Sequence, residues 1–148
     1  MSLAYKIAER FIGIDEVPGK EDNPQILAML KLDMDWPDGD EVPWCSAFVN
    51  YITWLLRLPR SKSLRARSWL EVGIPLDIDD AEIGDIVILN RGGGPQNPDI
   101  IDAPGHVGFF ARLDRNQNVV EVLGGNQSNT VKLSRYSLDD LLGVRRLT

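Results

Sequence analysis

Apolar positions at the start of the chain recur at helical spacing. Leu3, Ile7, Ala8 and Phe11 form one stripe, and Gly13 ends it. After the turn-rich segment PGKEDNP, Pro24 suits the first turn of a second helix, with Ile26, Leu27, Leu30 and Leu32 on its apolar face. The acidic, broken segment DMDWPDGDE follows. Pro43 then suits the first turn of a third helix, whose stripe runs through Cys45, Val49, Ile52 and Leu56, widened by Phe48 and Leu55, until Pro59 stops it. LRARSWLEVG reads as a short helical piece ended by Gly73.

Beyond Gly73 the pattern changes. GDIVILN is a short apolar run after a turn, HVGFFARL a second run, and VVEVLGG a third, with DRNQN as the hairpin turn between the last two. TVKLSRY reads as a fourth strand, with Val131, Leu133 and Tyr136 set against Lys132 and Arg135, and LLGVRRL as a last one. Helices first and an antiparallel meander second predict an α+β fold, because parallel α/β folds alternate their elements. The 148 residues suit one domain spanning 1–148, with no repeat, low-complexity tract or linker to split it.

Composition narrows the classes. The formal net charge of −6 opposes general nucleic-acid binding, which needs phosphates neutralised by Lys and Arg, and passive attachment to an acidic membrane. No stretch approaches the roughly 20 apolar residues of a membrane helix. The opening MSLAYKIAERFIG is interrupted by Lys6, Glu9 and Arg10 and so lacks a signal-peptide core, which predicts synthesis in the cytoplasm. A single cysteine permits no internal disulfide.

That cysteine is the first candidate for chemistry. Cys45 falls in the first turn of its expected helix, where unpaired N–H groups and the dipole favour a thiolate and can hold an oxyanion. Alone, it reads more readily as a small apolar filler. His106, the only histidine, opens the HVGFFARL strand between Gly105 and Gly108. Imidazole can take the thiol proton and return it to a leaving amine near neutral pH. A third group usually orients the ring. Asn126, at the end of the next strand, is the leading candidate and Glu121, inside it, the runner-up. Strand alternation places Glu121 and Leu123 on one face and Val120 and Val122 on the other. Trp44 and Ser46 flank the sulfur as candidate substrate contacts, and Trp44 could instead pack beneath it.

PWCSAFVN, GDIVIL, GHVGFF and VLGGNQS, in that order, resemble the NlpC-type and CHAP (cysteine, histidine-dependent amidohydrolase/peptidase) superfamily, more closely its small single-domain phage and prophage branch. EVPGKEDNPQIL and ARSWLEVGIPL also fit that branch. The resemblance implies a papain-like core and cleavage of an amide bond in peptidoglycan, with Cys45 as nucleophile, His106 as base and Asn126 in the third role. Some members carry a glutamate two residues earlier, where this chain has Gly124. Papain relatives also place an oxyanion-hole Gln six residues before the cysteine; that position is Gly39 here, leaving the role to backbone amides. Cys45 precedes His106, as in the hydrolases and unlike the permuted acyltransferase relatives.

The remaining features take plainer readings. Asp33, Asp35 and Asp38 do not match an EF-hand and read as a solvated acidic loop, although some CHAP domains bind calcium before their cysteine. Arg57, Arg60, Lys62, Arg65 and Arg67 read as a polar surface between two helices, with binding of stem-peptide carboxylates as the alternative. The loop from Arg91 to Gly105 is long enough to be a lid or binding loop at the cleft, or a floppy insertion. The expectation is a cysteine peptidase or amidase that acts on peptidoglycan stem peptides in the periplasm or cell wall. It requires no metal or organic cofactor, binds no nucleic acid and inserts in no membrane. As a phage endolysin it would depend on a holin for release, and a monomer is the default state. A secreted effector, a non-catalytic wall-binding module, and a protease or deamidase acting on host proteins are the rival readings.

Overall fold

A side-chain oxygen opens each of the first two helices. A computed structural model describes residues 2–15, 23–33, 44–91, 98–100 and 103–147. Ser2 Oγ accepts the Tyr5 N–H at 3.1 Å and starts α1, Leu3–Glu9. Asn23 Oδ1 accepts the Gln25 N–H at 2.8 Å and starts α2, Pro24–Lys31, with Pro24 where its missing N–H costs nothing. The buried faces are rotated from the expected stripes. Ala4, Tyr5 and Ala8 are buried in α1 while Leu3 is exposed, and Met29 joins Ile26 and Leu30 in α2. The third helix, α3, runs Cys45–Leu55 and buries Phe48, Val49 and Ile52, but Leu55 is exposed at its end. Pro43 and all of the acidic segment except Asp33 lie outside the described residues.

Six strands form one antiparallel sheet: β1 Ile74–Leu76, β2 Ile86–Asn90, β3 Gly105–Asp114, β4 Val119–Gln127, β5 Thr130–Ser137 and β6 Leu141–Arg146. The fold is α+β. The meander β2-β3-β4-β5 is as expected, but β6 does not extend it. The spatial order is β1-β6-β2-β3-β4-β5, so β6 returns to the open edge of β2. All five residues of β2 are buried, and a strand so placed needs a hydrogen-bonding partner on each side. The three-residue β1 carries no alternation that the sequence could reveal.

Both faces of the sheet are covered. Ile86, Ile88, Val107, Phe109, Leu123 and Val131 pack against the helices, where Phe48 meets Phe11 and Phe109 edge-on at 6.0 and 6.2 Å. Each large side chain so buried contributes roughly 1.5–3 kcal/mol. Val87, Leu89, Phe110, Val120, Val122 and Val144 form a second cluster on the opposite face, closed by Ile78, Leu138 and Tyr136 among others. Period-2 geometry puts Tyr136 with Lys132 and Ser134, on the face opposite Val131 and Leu133, so the grouping of Tyr136 with those two is corrected.

Candidate active site

Cys45 is the first residue of α3, and Trp44, its N-cap, makes no side-chain cap bond. The first-turn amides are therefore left without intrahelical acceptors. His106 is the second residue of β3 and pairs in register with Leu89 of β2. α3 packs across β3 and β4, which brings the helix start to the start of β3. The thiol and the imidazole meet there. Burial pushes the Cys45 thiol up, but the hydrogen bond and charge of His106 oppose this, joined by the Val107 N–H and the Arg91 guanidinium. The net effect holds the thiol below its ordinary value.

The other edge of the ring is held by Gln127. His106 Nε2 lies 2.8 Å from Gln127 Oε1. The Gln127 amide nitrogen donates to the carbonyls of Val122 and Lys132, so the amide can face the ring only with its oxygen. An amide oxygen accepts and never donates, so Nε2 carries a proton. The tautomer is thereby fixed, and Nδ1 is left for the sulfur.

Asn126 does not take this role. β4 pairs Gly124 with Lys132 and Gln127 with Thr130, so three steps on β4 match two on β5. The extra residue is a β-bulge, and Asn126 occupies it with φ +56°. Without the bulge, Asn126 would pair with Thr130 and share a face with Gly124 and His106. The one-residue slip gives that place to Gln127. The following turn, Ser128-Asn129, has φ of +52° and +63°, a two-residue type I′ hairpin without the usual glycine signal. Glu121 is also excluded as orienter, because its carboxylate is engaged by Arg112 and it lies on the opposite face from His106. The expected alternation of Glu121 and Leu123 against Val120 and Val122 holds.

Two glycines make the approach possible. A Cβ on Gly124 would lie 2.9 Å from Gln127 Oε1 and 3.4 Å from His106 Nε2. Gln127 therefore fills the space that a side chain at position 124 would take. A Cβ on Gly125 would lie 2.6 Å from the Trp44 ring and 2.9 Å from Phe48 Cβ, so Gly125 lets β4 reach the start of α3.

Neither candidate substrate contact faces solvent. Trp44 is fully buried against Gly125, which makes it packing under the sulfur. Ser46 is also fully buried: its hydroxyl donates to Ser63 O at 2.6 Å and accepts the Trp69 Nε1–H at 3.0 Å. The basic patch divides. Arg57, Lys62 and Arg65 are exposed, but Arg60 pairs with Asp33 at 3.3 Å. Arg67 is wholly buried, donating to Asn90 Oδ1 at 2.8 Å, Pro104 O at 3.0 Å and Ile100 O at 3.1 Å. Arg67 thus anchors the described end of the long loop just before His106. Asp35, Asp38 and Gly39 lie outside the described residues. Among the described residues no three His, Cys, Asp or Glu side chains cluster as a metal site.

Gln127, Tyr136 and Arg67 are the site residues that sequence reasoning missed. The Tyr136 ring packs beside that of His106, with centroids 5.1 Å apart and planes 31° apart. A groove of about 820 Å³ lies elsewhere, between α1, the turn before β2 and β6. Its polar groups include the Asp85–Arg146 ion pair and no nucleophile poised beside a base, so the chemistry points to Cys45 instead. No protein-family model matches the chain, and no curated protein does.

Proposed function

We propose that the protein is a cysteine peptidase or amidase that cleaves an amide bond of peptidoglycan. The observation that carries the chemistry is the chain's one cysteine, at a helix start, with its thiol held down by the chain's one histidine. Gln127 fixes the ring tautomer that this requires. The thiolate attacks the carbonyl carbon, and its electron pair moves onto oxygen, where first-turn amides of α3 can receive it. His106 then delivers the proton to the leaving amine, and the C–N bond breaks to leave a thioester. Water, deprotonated by the same ring, releases the acid product and restores the thiol.

The wall substrate and a papain-like core rest on the resemblance of PWCSAFVN, GDIVIL, GHVGFF and VLGGNQS to the NlpC-type and CHAP superfamily. A nucleophile at a helix start, packed on an antiparallel sheet that supplies base and orienter, supports that reading. It makes the protein an endolysin released through a holin, or an effector of the same chemistry, acting on stem peptides. One observation favours the non-catalytic alternative: Cys45 and His106 are only 3% and 4% exposed. The lowered thiol opposes it, since an inert buried cysteine is pushed up. The test is digestion of purified sacculi, with mass spectrometry of the fragments to name the bond. Cys45→Ala should release none while keeping the wild-type circular dichroism, and fragment release by that variant would overturn the reading.

A further inference from the structure

The Cys–His pair has a neutral amide, not a carboxylate, at the far edge of the ring. In a carboxylate-supported triad, the charge that forms on the imidazole is balanced by the third residue. Gln127 supplies only a dipole, and its nitrogen is committed to two backbone carbonyls. The Cys45 thiolate faces the ring at one edge until it attacks, and the face of the imidazole is where the structure offers further support.

Tyr136 lies on that face. Its centroid is 5.1 Å from that of His106, inside the roughly 6 Å reach of a cation–π contact. The planes are tilted by 31°, so the two rings face one another more nearly than they meet edge to face. Strand parity puts Tyr136 here, and it is half-buried among Leu89, Val120 and Val122, which limits competing water. Among the described residues, the charged or titratable groups around the ring are Cys45 from α3, Tyr136 itself from β5, and Arg91 at the end of β2, which acts on both Cys45 and Tyr136, while Lys132 of β5 shares the face of Tyr136 and pairs with Gly124. Arg91 brings positive charge to the site. The phenol stays neutral through any working pH: burial first, and then the nearby Cys45 sulfur, push it up to about 12, against smaller opposing effects of Arg91 and Ser134.

We propose that Tyr136 is a positioning residue whose ring face supports the imidazolium of His106, taking over the part that a carboxylate plays in other triads. This rests on the catalytic reading of Cys45 and His106 for its use, but its test needs no substrate. His106 is the only histidine, so its ring gives a single resolved imidazole signal by NMR. In the wild-type protein its ring protons should be displaced upfield by the Tyr136 ring current. Tyr136→Phe, and then phenylalanines carrying one to three fluorines at position 136, keep shape and burial while draining charge from the ring face. Tyr136→Phe should leave the deprotonation of the imidazolium close to wild type. The fluorinated series should move it stepwise to lower pH, by roughly half to one pH unit in all. Undisplaced ring protons in the wild type, or a midpoint indifferent to fluorination, would overturn the proposal. A protein that shows the stepwise shift yet cuts no sacculi would sink the wall-hydrolase reading and leave this one standing.

Discussion

His106 Nε2 and Gln127 Oε1 stand 2.8 Å apart because β4 carries one residue more than β5 opposite it. Gln127→Ala should therefore slow turnover by roughly 10²-fold, the scale at which a misplaced catalytic group is felt. Asn126→Ala and Glu121→Gln should leave the rate close to wild type. Steady-state kinetics on soluble wall fragments compares the three. A large loss in Asn126→Ala with none in Gln127→Ala would reverse the assignment.

The adjacent glycines should fail in different ways. The Cβ of Gly124→Ala would press on Gln127 Oε1, the end of a side chain that can yield only by leaving its hydrogen bonds. Activity should fall well before stability does. The Cβ of Gly125→Ala would meet the Trp44 ring and Phe48 Cβ, both in the core. That should cost roughly 1–3 kcal/mol in denaturant unfolding, the usual penalty of overpacking. Parallel activity and unfolding measurements on the two variants would show whether the split occurs.

The thiol should titrate on the acid side of a free cysteine. His106, Val107 N–H and Arg91 favour the thiolate and outweigh burial, so the iodoacetamide rate of Cys45 should climb at a pH below that of a free thiol, about 8.5. In His106→Ala the largest opposing contributions are gone and burial remains. The climb should then move above the free-thiol range. The shape of the pH profile is the readout, since the shielded sulfur slows the reagent equally at every pH. A profile unchanged by His106→Ala would separate the sulfur from the ring.

Arg67 should prove structural and local to His106 at once. It is wholly buried and donates to Asn90, Ile100 and Pro104. Arg67→Met would remove its hydrogen bonds to these groups, leaving Asn90 Oδ1 only the Arg91 N–H among the bonds described, at a cost of roughly 3 kcal/mol or more in chemical unfolding. Arg67→Lys keeps the charge but lacks the fork that reaches three acceptors, and should recover only part of the loss. Full stability in Arg67→Met would place the loop anchor elsewhere.

Helical spacing, the apolar runs and the turn residues placed α1, α2, α3 and the meander from β2 to β5. Cys45 and His106 were legible because each is the only residue of its type and each stands at the edge of an element. The return of β6 to β2 was not legible, since the requirement that drives it belongs to β2 and not to β6. Arg67 read as surface because nothing in a basic sequence run tells which arginine finds buried carbonyls.

The third residue marks the boundary. The sequence alone pointed to a polar group of β4 beside the ring, with Asn126 first and Glu121 second. Only the tertiary structure gave the place to Gln127. A side chain's face is set by counting from the paired strand, and one bulged residue with φ +56° reverses the count. The same parity carries Tyr136 across the sheet to His106, through a pairing of strands that no local pattern encodes.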